Sequence, residues 1–283
     1  MRGRLLVRPR PEEQPGKRML RKAAFRIPDA YVHRGVVVWS AGRSAPRLDV
    51  WFHPALGDSH LSYRHVFESE LIEHARVFVF DPPGHGASPP RSKGWTIADG
   101  VRLWCELIAH FSGSGRIVLV GHSMAGIIAS RTANSLQRPP ALVIGVEANL
   151  TRSDAYFTGR AAQFDEPAAF YAAFRSRIRR MSRRDAVVRR FGCSLEFADP
   201  VTLWTLGRSV FAQKDPGAAF RRLRCPKIHY WDTTGVSQET RDYVGRHELP
   251  IRALPHLGHW PMIKSPSDFY VAIAADIRPV LAA

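Results

Sequence analysis

Short apolar runs alternate with longer amphipathic stretches along most of this chain. Residues 36–39, 48–52, 77–80, 117–120, 141–146, 227–231 and 251–254 are apolar and mostly rich in β-branched or aromatic side chains. Runs of that length and composition predict strands covered on both faces, as in a largely parallel sheet. Between the third and fourth runs, Ile97, Val101, Trp104, Ile108 and Phe111 recur at helical spacing, and Thr96 with Asp99 predicts a capping box for a helix over 96–111. That stripe reads as core packing. A small-residue stretch over 127–135 predicts a further helix, and the alternation as a whole predicts an α/β fold.

The interval 150–224 breaks the pattern. It predicts helices over 166–180, 183–191 and 200–211 with no strand between them. Phe170, Phe174, Ile178 and Met181 share one helical face, while Arg175, Arg179, Arg180 and Arg183 lie largely on another. The apolar face packs on the rest of the chain or lines a pocket. The arginine face reads as solvated, with a membrane surface or an anionic substrate as the second reading.

Composition narrows the class. A chain of 283 residues with 45% hydrophobic content can bury a large core. No stretch reaches the roughly 18 uncharged apolar residues of a membrane helix, and the basic N-terminus lacks the apolar segment of a secretory signal. Stable membrane insertion is therefore not expected. Three scattered cysteines, Cys105, Cys193 and Cys225, suit neither a disulfide framework nor a zinc site, so a reducing, cytoplasmic setting is expected. The net charge of +16 sits mostly in two places: residues 1–34 carry 10 basic against 3 acidic residues, and residues 151–224 carry 15 against 7. Without a nucleic-acid-binding motif beside it, the basic segment over 1–30 reads as a solvated extension rather than a nucleic-acid or lipid contact.

The chemistry gathers at two motifs. Gly121-His122-Ser123-Met124-Ala125-Gly126 follows the apolar run 117–120 and precedes the small-residue helix. A serine at such a strand-to-helix corner has the geometry of a nucleophile elbow, where small neighbours let strand and helix approach closely. Serine needs a histidine to take its proton and an acid to fix the imidazole. Downstream, His256 and His259 stand in the loop Pro255-His256-Leu257-Gly258-His259-Trp260-Pro261, after a short apolar run.

Four motifs together resemble the α/β-hydrolase superfamily, in particular its cap-bearing serine hydrolases: His53-Pro54-Ala55-Leu56-Gly57-Asp58, Asp81-Pro82-Pro83-Gly84-His85-Gly86-Ala87-Ser88, the Ser123 elbow and the Gly258-His259-Trp260 loop. The resemblance spans residues 36–283. It implies a mostly parallel sheet with helices on both faces, a core over 31–149 and 225–283, and a helical cap or lid over 150–224. It selects His259 over His256 as base. The elbow reads G-x-S-x-A where the family usually has glycine last.

The acid departs from the common pattern. Where the family most often carries an aspartate, this chain has Thr234. Two candidates stand: Glu147, closing the run 141–146 at 24 positions after Ser123, and Asp232, after the run 227–231. Some members, including certain haloalkane dehalogenases, place their acid at the end of the former strand, so Glu147 is favoured and Asp232 is the alternative. An oxyanion hole would take one N–H from Met124, next after the nucleophile. The resemblance implies the second from Ala55, or from Leu56, but Pro54 stands where the family has glycine. His53 and His85 read as structural residues of their loops, and His60 with His65 lacks helical metal spacing.

These residues predict a serine hydrolase acting on a carboxylic ester, thioester or lactone through an acyl-enzyme. Alternatives are a C–C bond hydrolase on the same triad and a non-catalytic binding protein on a hydrolase scaffold. No cofactor and no metal are expected, since no phosphate loop or dinucleotide fingerprint is present. The expected partner is a small substrate with an apolar acyl or aromatic part, its pocket built from Leu56, His122, Phe170, Phe174, Trp204 and Trp260, with Phe211 as a further aromatic of the cap. Oligomeric state, including a homodimer, is left open.

Overall fold

A computed structural model describes residues 27–43, 48–113 and 115–282. Eight strands form one sheet among the described residues: β1 (Asp29–His33), β2 (Val36–Gly42), β3 (Leu48–His53), β4 (Arg76–Phe80), β5 (Arg116–His122), β6 (Leu142–Val146), β7 (Lys227–Trp231) and β8 (Ile251–Ala253). Their order is β1-β2-β4-β3-β5-β6-β7-β8, with β1 and β2 antiparallel to their neighbours and all later pairs parallel. This is the α/β-hydrolase fold.

Each of the seven expected strands is present. β1 is the addition: Asp29 to Val32 are exposed and His33 is half-buried, so it carries no run of buried apolar positions. Asp29 and Ala30, the end of the extension expected over 1–30, belong to β1, and residues 1–26 lie outside the described part. The central strands β3 and β6 are buried at every position, which is why they read as unbroken apolar runs. Trp51 stacks on Phe78 at 4.1 Å across β3 and β4. At the far end, Arg76 makes two hydrogen bonds, of 3.1 and 2.9 Å, to the buried carboxylate of Asp49.

Helix α1 (Ile97–Phe111) opens with the expected capping box, Thr96 Oγ1 accepting from Asp99 N–H and the Asp99 carboxylate accepting from Thr96 N–H. Helix α2 (Ala125–Ser135) follows β5 directly. The segment between β6 and β7 has helices and no strand among the described residues: α3 (Pro167–Ser182), α4 (Ala186–Leu195) and α5 (Pro200–Phe211), preceded by the 3-10 helices Ser153–Ala155 and Thr158–Gln163 and followed by the single turn Ala218–Arg221. Helix α4 starts three residues later than the hydrophobic pattern suggests, because the Asp185 side chain accepts from the N–H groups of Val187 and Val188 and caps it there. Helices α6 (Gln238–Arg246) and α7 (Pro266–Ala282) complete the layers around the sheet.

The inserted helices are tied to the rest of the chain by polar contacts. Asp199 N–H donates to the Gly84 carbonyl at 2.8 Å, and Thr205 and Ser209 accept from the N–H groups of Trp95 and Ile97. Gly84, at φ 72°, has no room for a side chain, since a Cβ would lie 2.4 Å from Thr202 Oγ1. No helix among the described residues is long and apolar enough to cross a membrane.

Candidate active site

Strand register brings the chemistry to one edge. Gly121 pairs with Gly145, His122 with Val146, and Val146 with Tyr230. Ser123, Glu147 and Asp232 therefore follow one another across the carboxyl ends of β5, β6 and β7, the edge where ligands gather in open α/β sheets. Main-chain bonds extend the ladder past the strands: Ser123 N–H donates to Val146 O at 2.9 Å and Glu147 N–H to Tyr230 O at 2.8 Å.

Ser123 has φ 55° and Glu147 φ 46°, so both residues sit in the left-handed region. Backbone strain of this kind in non-glycine residues costs about 1–3 kcal/mol and persists only where its surroundings enforce it. The close approach of α2 enforces it here: a Cβ at Gly121 would lie 2.4 Å from Ala125 O, and one at Gly126 would lie 2.3 Å from Ala148 Cβ. Among the described residues the Met124 and Ala55 N–H groups make no hydrogen bond. Both are buried, and they are free to receive an acceptor.

His259 lies beside Glu147, with Nδ1 3.8 Å from Oε2. That is ion-pair range and longer than a hydrogen bond, and such contacts commonly tighten when substrate binds. The other Glu147 oxygen accepts the N–H of Asp232. Asp232 is turned away to its own loop: Oδ1 accepts from Thr234 N and Oγ1 at 2.9 and 2.8 Å, and Oδ2 accepts from Gly258 N at 2.7 Å. Burial pushes the Asp232 carboxyl up, but these donors outweigh it and hold the group below its ordinary range. The structure thus gives Asp232 the work of pinning the histidine loop, and gives Glu147 the place next to the imidazole. His256 is exposed.

His122 does not line a pocket. It is wholly buried, and its Nε2 donates to the His259 carbonyl at 2.7 Å. A carbonyl only accepts, so the proton sits on Nε2. Burial and the neighbouring His259 ring hold His122 well below its ordinary pKa, so it is neutral and braces the backbone of His259. His53 is likewise structural. Its Nδ1 donates to the Pro54 carbonyl at 2.8 Å, its ring meets Phe80 and Trp104, and burial lowers its pKa to about 3.

The Ser123 hydroxyl donates to Asn149 Oδ1 at 3.3 Å rather than to His259. Asn149 is 2% exposed and its Nδ2 has no partner among the described residues. The sequence reading missed Asn149, although it lies two positions beyond Glu147 in the same strand-end turn. It also missed Tyr156 and Phe157, whose rings lie 5.5 and 6.4 Å from the His259 ring. An aromatic pair in a segment without helical or strand period gives no signal before folding.

The expected pocket residues fare unequally. Phe170 and Phe174 stack at 5.7 Å and line a recess of about 120 Å³ with Phe157, Phe164 and three arginines. Trp260 stacks on Phe191 of α4 at 4.8 Å and meets Phe157 at 6.0 Å. Leu56 is part of the buried core. Trp204 lies outside the recess, but its Nε1 donates to the Phe164 carbonyl and so fixes one wall. Phe211 is 43% exposed beneath Arg152 and lines neither this recess nor the one beside His259. A second recess of about 210 Å³ borders Glu147, Tyr156, Asp232 and His259. Ser123 lines neither recess and is 7% exposed.

The model of the alpha/beta hydrolase family matches residues 50–273, and the chain belongs to that family. Solved structures agree in fold. A thermophilic esterase from Thermogutta terrifontis is 19% identical with a TM-score of 0.67, covering 87% of this chain and 93% of that one. A hydrolase from Pseudomonas aeruginosa is 17% identical with a TM-score of 0.69, covering 89% and 98%. An N-acyl homoserine lactonase is 14% identical with a TM-score of 0.65, covering 86% and 92%. No curated protein matches the sequence significantly.

Proposed function

We propose that the chain is a serine hydrolase that cleaves a carboxylic ester, thioester or lactone, with Ser123 as nucleophile, His259 as base and Glu147 as the acid that orients it. The observation that carries this reading is the strained Ser123 at the carboxyl end of β5, beside the free N–H of Met124. That corner holds a hydroxyl at a helix start where an oxyanion can be received. Its neighbours in fold, an esterase and a lactonase among them, favour acyl chemistry.

The reaction follows from the groups present. Ser123 leaves Asn149, turns its proton toward His259 and attacks the carbonyl. The Met124 and Ala55 N–H groups receive the oxyanion, and the imidazolium faces the Glu147 carboxylate. His259 then protonates the leaving group, and water reverses the sequence to release the acid. The inserted helices act as the cap that excludes bulk water from the serine.

A fluorophosphonate probe and a series of chromogenic esters of increasing acyl length test the reading. Wild-type protein should be labelled at Ser123 and turn over at least one ester, and Ser123→Ala should lose both while keeping its circular dichroism spectrum. Labelling that persists in Ser123→Ala would refute the assignment.

A further inference from the structure

The recess beneath α3 combines two chemistries. Its walls are the rings of Phe157, Phe164, Phe170 and Phe174, and Arg160, Arg177 and Arg180 converge on it. Four aromatic rings around about 120 Å³ hold something flat or apolar. An engineered apolar cavity of about 150 Å³ binds benzene, so this space suits one aryl ring or a short alkyl chain.

The arginines are not balanced from within. On the same helix, Arg175 and Arg179 both pair with Glu196. Among the described residues no carboxylate lies within ion-pair distance of Arg160, Arg177 or Arg180. Arg177 is half-buried with its guanidinium over the Phe157 ring at 5.0 Å, and Arg180 donates to Ser176 Oγ. Arg160 and Arg180 are exposed at the rim of the recess and Arg177 is half-buried in its wall, so all three border it. Asp165, Glu166 and Asp185, the acids nearest in sequence, pair with none of them among the described residues.

Phe157 stands between this recess and the His259 loop. The same ring that lines it lies 6.4 Å from the His259 ring and 6.0 Å from Trp260. We propose that the recess binds the far end of the substrate, and that this end is a carboxylate on a short apolar or aryl tail. The substrate class is thus an ester or lactone whose acyl part ends in an anion: the tail lies among the phenylalanines and the guanidinium groups receive the carboxylate. The assignment of class rests on the proposed serine chemistry, while the anion site itself stands on the recess alone.

Two measurements keep the two ideas apart. The first compares kcat/KM for p-nitrophenyl monoesters of glutaric or adipic acid with their methyl-capped neutral counterparts. A charge-assisted contact to arginine predicts a preference of about tenfold or more for the free carboxylate. The ratio should collapse to about one in the double variant Arg177→Gln, Arg180→Gln. A wild-type ratio of one or less, or a ratio that survives the double substitution, overturns the substrate class.

The second measurement needs no turnover. Calorimetric titration of the intact chain with 4-phenylbutyrate and with 4-phenylbutanamide reads the recess directly. The anion should bind about tenfold more tightly, and the double variant should bind both alike. Equal affinity in the wild type overturns the anion site whatever the enzyme does. Absence of fluorophosphonate labelling with a retained anion preference overturns the serine chemistry and leaves the anion site standing.

Discussion

Glu147 divides its carboxylate between two partners: Oε1 accepts the N–H of Asp232, and Oε2 faces His259 Nδ1 at 3.8 Å. The Asp232 carboxylate is meanwhile committed to Thr234 and Gly258. The two acids that compete on sequence grounds are thus separated by what already occupies their oxygens. Glu147→Gln should lower kcat by about 10³ to 10⁴ with little change in KM, as expected when the partner of a catalytic imidazole loses its charge. Asp232→Asn should lower kcat far less and act chiefly on stability, by loosening the loop that carries His259. Steady-state kinetics and chemical denaturation on the two variants check this, and the reverse ranking would transfer the role to Asp232.

The bond from Ser123 to Asn149 predicts a resting nucleophile that must be released. A typical hydrogen bond contributes about 1 kcal/mol net, so its removal should speed attack several-fold. Asn149→Ala is expected to react with a fluorophosphonate roughly threefold to fivefold faster than wild type, measured under pseudo-first-order conditions. Slower reaction would mean that Asn149 aligns the hydroxyl instead of detaining it.

Space at Gly126 is tied to the position of Glu147 through Ala148. An added Cβ would sit 2.3 Å from Ala148 Cβ and 3.3 Å from its Cα, so a backbone shift must follow. Gly126→Ala should cost about 1–3 kcal/mol of stability and reduce kcat/KM by displacing the neighbouring carboxylate. Gly245→Ala in α6 is the matched control: no atom lies within 4 Å of its added methyl, and the helix should gain about 0.5–1 kcal/mol. Thermal melts and ester kinetics on both variants read the difference.

Four wholly buried histidines set an acid limit. Burial lowers His53 to about 3 and His229 to about 4, and lowers His85 and His122 as well. The unfolded chain takes up protons at these sites as the pH falls through the ordinary histidine value near 6.5, while the folded chain does not. Their contribution to stability is therefore present above about pH 6.5 and is lost as the pH falls toward the folded values. Asp58 works in the opposite sense, because burial raises it to about 6 and the folded state binds its proton first. With His53, His122 and His229 set against Asp58, roughly two protons net are taken up on unfolding, so stability should fall by about 3 kcal/mol per pH unit around pH 5.5. Urea titrations at pH 7 and 5.5 test the slope, and His229→Gln should make it shallower by about one proton.

Much of this protein was legible in one dimension. The seven apolar runs became strands because burial on both faces leaves an unmistakable pattern, and the capping box of α1 rests on residues three apart. The Ser123 elbow could be read because its demand for small neighbours is local. Edge strand β1 escaped because an exposed strand needs no apolar run. Helix α4 began late because Asp185 supplied a cap that hydrophobic spacing does not encode.

What the chain determined by itself is seven of the described strands, the helices α1 to α5, the turn that strains Ser123 and the separate loops that carry His259, Glu147 and Asp232. Which acid meets the imidazole, which side chain accepts from the Ser123 hydroxyl and which arginines border an aromatic recess were decided only by tertiary packing. The reason is that β-strand period and helix caps act over a few residues, whereas the occupancy of a carboxylate oxygen depends on donors brought from 26 or 85 positions away by the register of β6 and β7.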